Sequence, residues 1–223
     1  MVKQERAART RETLVRAAAE VFAEEGFVTA SIASISRRAG VSAGGLHFHF
    51  ESKNALARAV EDRAAEVVRQ ITVGGGGGPG RATDGNALQV LVDSTHALMA
   101  RLAGDVVVRA GFGLCADAAR DSSVDLRRQW RLWVEEVLRR ADLDGLLAEG
   151  VSPGDAACAV VASTVGLEVL GAGEREWVAP QTLTRFWALV LPRLAGGGAL
   201  GALVPGGSAG VGGAAGGEGA EGG

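Results

Sequence analysis

The chain has 223 residues, enough for one or two domains with a hydrophobic core, and its formal net charge is −3. Residues 1–70 hold 11 Lys and Arg against 9 Asp and Glu, whereas the remainder holds 12 against 17, so the basic part is N-terminal. The charged first residues contain no apolar run of a secretory signal, which predicts a cytoplasmic protein. Cys115 and Cys158 match no metal-ligand spacing and lie in helix-like segments, so buried free thiols are expected, and neither a metal site nor a cofactor is predicted.

A first amphipathic helix is predicted to end at Glu25. Gly26 is expected in the left-handed conformation that ends many helices, and Phe27 is expected to fold back on Phe22. Four arginines precede or open this helix and are available to an anionic partner: Arg6, Arg9, Arg11 and Arg16.

The stretch 31–53 reads as a helix, a tight turn and a second helix. Ser31, Ser42 and Ser52 each stand where a side-chain oxygen would cap a new helix, and Gly40 can take the positive φ that ends the first one. A small buried seam is expected from Ala33, Ile35, Ala39, Val41, Leu46 and Phe50. This is the pattern of a helix-turn-helix, and it predicts a DNA-binding domain over residues 1–52.

The second short helix of this motif has a free face. With its apolar residues pointing inward, that face is predicted to enter the major groove of DNA. Lys53 at the next helix start opposes the helix dipole, which indicates an external anion such as a phosphate. His47 and His49 point about 200° apart on a helix and cannot share a metal ion. The residues expected to contact DNA are Thr29, Ser31, Ser42, Ala43, Gly44, Gly45, His47, Phe48, His49 and Lys53.

The remainder of the chain shows helical periodicity and no strand signal. A connecting helix over 53–72 and a glycine-rich loop over 73–85 are followed by a predicted helical domain over 86–194. Its helices are expected at about 87–103, 105–118, 121–142, 153–170 and 180–194. Residues 195–223, mostly Gly and Ala, are expected to form a disordered tail. The fold is therefore predicted to be all-α, with an N-terminal three-helix domain and a C-terminal helical domain.

The apolar run over 156–173 is long enough to raise the possibility of a membrane span. Glu168 and several small residues within it favour a buried or subunit-interface helix instead. No membrane association is therefore predicted.

Several residues of the second domain are candidates for a ligand site. Gly111 and Gly113 each lower helix propensity by about 1 kcal/mol, so they are expected to leave space for a ligand or a neighbouring helix. Trp130 and Trp133 face one side of their helix, either as core indoles or as the wall of a cavity that offers an N–H donor. Thr164 is a candidate polar partner, with a bond to its own i−4 carbonyl as the alternative. The candidate ligand residues are Trp130, Arg109, Gly113, Trp133 and Thr164.

The pattern A-G-V-S-x-G-x-L-x-x-H-F-x-S-K-x-x-L over residues 39–56 resembles the DNA-binding domain of the TetR family of one-component repressors. Ala43 and His47 stand where that family often has Lys and Tyr. The run over 106–114, with Q-W-R from Gln129, resembles the γ-butyrolactone autoregulator receptors, a TetR-like branch that controls antibiotic production. The resemblance implies a homodimer joined by its late helices, a double-stranded DNA operator, and a small hydrophobic signal molecule bound near Trp130.

These observations favour a ligand-responsive transcriptional regulator. One alternative is a TetR-like regulator of an efflux or metabolic gene that answers a different hydrophobic ligand or antibiotic. A remote alternative is a helical interaction protein that does not bind DNA. An enzyme is not predicted, because no Ser/His/Asp set can be assembled from the three histidines, His47, His49 and His96.

Overall fold

The computed structural model describes residues 2–73, 86–117, 120–122 and 124–208. The chain is all-α, as the sequence predicts, and within the described ranges the only β feature is an isolated bridge between Leu147 and Ala195. Except for Val73, the predicted glycine-rich loop lies outside the described residues.

The N-terminal part consists of four helices. Gly26 has the positive φ expected of it, 76°, and breaks the first helix near its end, but its ψ of 161° lies outside the left-handed helical region. The rings of Phe22 and Phe27 lie 5.6 Å apart, so the predicted contact between them is confirmed. The helices are α1 (Val2–Thr29), α2 (Ile32–Ala39), α3 (Ala43–His49) and α4 (Lys53–Thr72).

The seam of the helix-turn-helix forms largely as expected. Ile35 and Leu46 are fully buried and Phe50 is nearly so. The prediction was wrong for Ala33, which is exposed, because it lies about 200° around α2 from Ile35. Ser36 takes the buried position on that helix instead.

The C-terminal part contains six α-helices and a 3₁₀ turn (Arg175–Val178) within the described ranges. Asp105 and Ser152 cap two of the helices. The helix over Leu126–Leu143 begins later than the predicted start at about residue 121, because the carboxylate of Asp125 accepts from the amide of Arg128 at 2.8 Å and sets its first turn. The helices are α5 (Ala87–Gly104), α6 (Val106–Ala116), α7 (Leu126–Leu143), α8 (Pro153–Gly171), α9 (Pro180–Leu194) and α10 (Gly197–Leu200).

The expectation of a disordered tail is wrong for residues 195–208, which pack along α5. The backbone of Val204 exchanges two hydrogen bonds with the side chain of Gln89, at 2.8 and 3.3 Å. The carbonyl of Pro205 accepts from His96 Nε2 at 2.9 Å. Polar side chains on α5 therefore provide the order that the Gly/Ala composition does not. Residues 209–223 lie outside the described part.

Two hydrophobic cores share helices α4 and α6. In α6, Ala110 and Leu114 pack in the helix-turn-helix core, whereas Val108 and Phe112 pack in the larger C-terminal core. A β-carbon added to Gly111 would overlap that of Ala64 in α4. The glycines were expected to leave space for a ligand or for a neighbouring helix, and at Gly111 the space is taken by the neighbouring helix α4.

Helix α8 is apolar but only partly covered. It is the one described helix whose length and composition would allow a membrane crossing, which by itself is weak evidence for a span. Its inward side is buried through Ala157, Val160 and Leu167, whereas Val169 and Leu170 are about half exposed. A subunit interface is one structure that would cover this outer face.

Candidate DNA interface and ligand cavity

Serine caps define both short helices of the candidate DNA interface. Ser31 Oγ accepts from the amide of Ser34 at 3.0 Å, and Ser34 Oγ accepts from the amide of Ser31 at 3.1 Å, which makes a capping box. Gly40 ends α2 with a φ of 68°. Ser42 Oγ then accepts from the amide of Gly45 at 3.0 Å and starts α3. The positions where α2 and α3 begin are therefore set by local hydrogen bonds, and the serines in the sequence predict them.

The structure leaves the expected face of α3 open. Phe48 is 82% exposed although it is a large apolar residue, and His47 is also exposed. The ring of His49 is half-buried and meets the edge of the Phe48 ring at 5.2 Å. No described atom lies within 4 Å of a β-carbon built on Gly44, so the backbone there is uncovered. Ala43 and Ser42 at the start of α3 are exposed, as are Thr29 and Ser31 beside it.

Lys53 has a different role from the one expected. Its ammonium donates to the carbonyls of Phe27 at 2.7 Å, Val28 at 3.1 Å and Ala30 at 2.7 Å, and it lies 4.6 Å from the centroid of the Phe27 ring. An ammonium has three N–H donors, and all three are used. Lys53 therefore holds the elbow between α1 and α2, and neutral backbone carbonyls accept the hydrogen bonds that the sequence assigned to an external phosphate.

An open groove of about 480 Å³ runs beside α3. Arg11 lines it and stacks 4.9 Å from the centroid of Phe50, and Arg58 contributes a second guanidinium. Arg6, Arg9 and Arg16 are also exposed on α1. Of the four arginines of the N-terminal arm, Arg11 is the one that lines the groove beside α3.

A small cavity lies beside Trp130 in the C-terminal core. Its free volume is about 10 Å³, close to that of one water molecule. The indole N–H of Trp130 donates to Thr164 Oγ1 at 2.9 Å, and the Thr164 hydroxyl donates to the carbonyl of Val160 at 2.9 Å. Thr164 therefore bonds the carbonyl four residues earlier in its own helix, which was the alternative prediction for it, and it also pairs with Trp130. The lining residues are Leu98, Phe112, Arg127, Trp130, Thr164, Val165 and Glu168.

Trp133 stacks on Trp130 with 5.0 Å between ring centroids. The two indoles therefore share a face of α7, as their spacing predicts. Among the described residues, the buried indole N–H of Trp133 has no hydrogen-bond partner.

Three residues expected at the ligand site do not line this cavity. Trp133 reaches it only through its stacking on Trp130, and Arg109 and Gly113 lie elsewhere. Arg109 donates to the carbonyls of Leu102 and Ala103, both at 3.0 Å, and so caps the end of α5. Partial burial lowers the pKa of its guanidinium, and the charge of Arg175 acts in the same direction. Gly113 is exposed, with no described atom near an added β-carbon. Neither residue lines the cavity, because the inward side of α6 is occupied by Phe112.

An ion pair that was not predicted from the sequence lies at the edge of the cavity. Arg127 Nη2 lies 2.8 Å from Glu168 Oε2, and the Glu168 side chain is 10% exposed. Burial raises the pKa of the Glu168 carboxyl, and the nearby charge of Arg127 opposes that shift. The signal that could have found it is an isolated acid inside the apolar run of α8.

No group of described His, Cys, Asp and Glu residues could hold a metal ion. Cys115 and Cys158 are free thiols, as predicted, but the expectation that both are buried is wrong: Cys158 is exposed on α8 and Cys115 is half-buried. Burial raises the pKa of the Cys115 thiol.

Comparison with known proteins decides the family. The sequence model of the bacterial regulatory proteins of the tetR family matches residues 14–60. The A-factor receptor protein of Streptomyces griseus is 30% identical over 210 residues, which cover 92% of this chain and 71% of the receptor. This chain belongs to the TetR family. It is therefore a helix-turn-helix transcriptional regulator and not an enzyme.

Solved structures of TetR-family proteins share the whole architecture. A gamma-butyrolactone receptor described as ArpA-like superposes with a TM-score of 0.74 at 26% identity, covering 89% of this chain and 94% of the receptor. CprB from Streptomyces coelicolor, in complex with its biological operator sequence, gives a TM-score of 0.72 at 26% identity with the same coverage. The chain is thus similar to γ-butyrolactone receptors along nearly its full length.

Proposed function

We propose that this chain is a ligand-responsive transcriptional repressor of the cytoplasm, released from its operator by a small γ-butyrolactone-like signal. The observation that carries this proposal is the position of α6: Phe112 lines the Trp130 cavity, and Leu114 on the opposite side packs in the helix-turn-helix core. The similarity to an A-factor receptor and to a gamma-butyrolactone receptor supports the ligand class and, with it, control of antibiotic production.

DNA recognition is assigned to the open face of α3. Gly44 lets the backbone approach the bases closely, and Phe48 is suited to an apolar contact with a thymine methyl group. Few side chains on this face can read base edges by hydrogen bonds, so sequence-dependent DNA shape should supply much of the specificity. Thr29, Ser31 and His47 are assigned to phosphates on either side of the groove.

A homodimer would place two such faces on one operator. The outer face of α8 with Val169 and Leu170, and Leu189 of α9 at 77% exposure, are exposed apolar positions that we assign to a two-fold interface. The two recognition helices would then lie about 34–36 Å apart, or a multiple of that spacing, so the operator is expected to be a pseudo-palindrome.

The ligand is assigned to the cavity beside Trp130, which must enlarge to accept it. Its free volume of about 10 Å³ is far below the roughly 300–1,000 Å³ of pockets that hold small molecules. Binding therefore requires movement of wall side chains such as Phe112, and that movement favours a second conformer. The unused indole N–H of Trp133 is a donor that a lactone carbonyl could take in that conformer. The effect on DNA binding is limited by the ligand's differential affinity for the two conformers.

A matched pair of tryptophan variants tests the cavity assignment. Trp130→Phe and Trp187→Phe each remove one indole bond to a threonine, because Trp187 donates to Thr95 at 2.8 Å outside the cavity. The probe is the duplex that wild-type protein selects most strongly from a random pool, titrated with γ-butyrolactones of increasing alkyl-chain length.

Trp130→Phe should need a higher lactone concentration for release, whereas Trp187→Phe should follow the wild type. Equal release from all three proteins would remove the assignment of the ligand to this cavity. Recovery of duplexes without dyad symmetry would count against the dimeric operator instead.

A further inference from the structure

A buried ion pair joins the two parts of the chain. Arg120, in the connection between α6 and α7, places Nη1 2.6 Å from Oε1 of Glu61 in α4. The side chains are 5% and 0% exposed. Among the described ion pairs this is the one with both side chains buried: in Arg127–Glu168 the arginine is 35% exposed, and in each of the others both partners are at least 29% exposed. The pair therefore lies where desolvating two charges is costly.

The hydrogen bonding of this pair is incomplete. Among the described residues, neither Oε2 of Glu61 nor Nε of Arg120 has a partner. Buried ion pairs with unsatisfied atoms contribute little net stability, and apolar replacements of similar volume are often neutral or stabilising. Extra stability therefore does not explain why a buried ion pair occurs at this position. A role in holding the chain in one of two conformations does explain it.

Arg120 also reaches the helix-turn-helix directly. Its guanidinium carbon lies 4.5 Å from the centroid of Phe27, the ring that also contacts the Lys53 ammonium. The carbonyl of Phe27 accepts from Lys53, and the elbow continues into Ser31, which caps α2. A cation from the C-terminal part and a cation from α4 therefore both bind the residue that sets how α1 leads into α2.

The other end of this connection lies at the ligand cavity. Phe112 lines the cavity, so an enlargement that displaces α6 together with this ring would be transmitted towards Arg120, which lies four residues beyond the last residue of that helix. The close contact of Gly111 with Ala64 prevents α6 from moving towards α4. The displacement must therefore appear along or away from α4, which changes the separation of Arg120 and Glu61.

We propose that Arg120 is a positioning residue that couples the ligand cavity to the helix-turn-helix. With Glu61 and Phe27 it holds the α1–α2 elbow in the arrangement seen with the cavity closed, and the pair opens when the cavity is filled. The inference rests on the proposed function only in taking the Trp130 cavity as the ligand site.

Hydrogen–deuterium exchange on full-length proteins tests the coupling without DNA or ligand. Arg120→Met alone leaves the Glu61 charge buried and unpaired, so the main variant is the double change Glu61→Leu with Arg120→Met, which keeps apolar volume and removes both charges. The control is Arg140→Met, which breaks the exposed pair with Asp144.

The double variant should stay folded, and its amides over 27–35 should exchange at least about fivefold faster than in wild type, because local opening is easier without the pair. Arg140→Met should leave those amides unchanged. Unchanged exchange over 27–35 in the double variant would overturn the proposal, as would equal acceleration in the control.

Operator binding provides the second readout. With the selected duplex as probe, the double variant should bind about tenfold more weakly than wild type without ligand, and added γ-butyrolactone should weaken it by a smaller factor than it weakens wild type. Equal affinities and equal lactone responses would also overturn the coupling role. A wild-type protein that selects no duplex would refute the proposed function, while the exchange comparison would still decide the role of Arg120.

Discussion

Gly111 of α6 lies so close to Ala64 of α4 that a β-carbon on the glycine would overlap the β-carbon of the alanine. The backbone of α6 therefore packs directly against a side-chain methyl group of α4, and these are the two helices that belong to both cores. Gly113, two residues further along, is exposed with no described atom near an added β-carbon. One helix thus contains a glycine that packing requires and a glycine that packing does not require.

Gly111→Ala and Gly113→Ala should change stability in opposite directions. Overpacking between α4 and α6 should lower the free energy of unfolding by about 1–3 kcal/mol for Gly111→Ala. Better helix propensity should raise it by up to about 1 kcal/mol for Gly113→Ala. Urea unfolding at one fixed protein concentration measures both, and a shift of the same sign in the two variants would contradict this account of α6.

Phe48→Ala should weaken binding to the selected duplex without changing stability. The ring is 82% exposed, so its removal leaves no cavity, and loss of an apolar base contact should reduce affinity roughly three- to tenfold. Leu143→Ala is a suitable control, because Leu143 is 68% exposed at the end of α7. Fluorescence anisotropy measures the affinity, and unchanged binding by Phe48→Ala would exclude Phe48 from the interface.

Lys53→Met should lower stability and leave the salt dependence of DNA binding unchanged. Loss of three hydrogen bonds from a charged donor should cost roughly 2–4 kcal/mol in urea unfolding. A phosphate-contacting cation would instead change the slope of log affinity against log salt by about 0.9 when removed. Arg9→Met, at an exposed position on α1, should leave stability intact. If Lys53→Met reduces the slope of log affinity against log salt, Lys53 contacts a DNA phosphate after all.

Glu168→Gln should be more stable than wild type at neutral pH, and the difference should shrink as the solution becomes acidic. Burial raises the pKa of Glu168 in the folded chain above its ordinary value of 4.5, so the neutral form is favoured on folding. Stability from the neutral carboxyl is fully present below the ordinary pKa and is lost as pH rises through the raised folded pKa. Thermal unfolding of both proteins from pH 4 to 8 measures this trend. A constant difference across that range would contradict it.

Cys158 should be protected from alkylation in the assembled protein. The residue is exposed on the single chain and lies on the same outer side of α8 as Val169, whereas Cys115 is half-buried. Mass spectrometry after iodoacetamide treatment should find Cys158 unmodified at concentrations where the protein sediments as a dimer. Leu189→Glu, aimed at the same apolar surface, should yield monomers with a reactive Cys158. Rapid modification of Cys158 in a sedimenting dimer would place the interface elsewhere.

The sequence by itself determined the features that act over a few residues. Ser31 and Ser42 fixed where α2 and α3 begin, because a capping oxygen reaches amides only two or three residues away. Gly26 and Gly40 fixed where two helices break or end, because only glycine takes a positive φ readily. The stacked pair of Trp130 and Trp133 followed from spacing along one helix.

Only the tertiary structure decided which distant groups meet. The carbonyls that hold Lys53 lie 23 to 26 residues away in sequence, Thr164 lies 34 residues from Trp130, and Glu61 lies 59 residues from Arg120. The sequence placed Arg109 at the ligand site, and the Gly/Ala composition of 195–223 predicted a disordered tail. Packing contradicts the first prediction, and it contradicts the second for residues 195–208. Such pairings depend on how whole helices pack against one another, and helical periodicity specifies which face of a helix is buried but not which partner it meets.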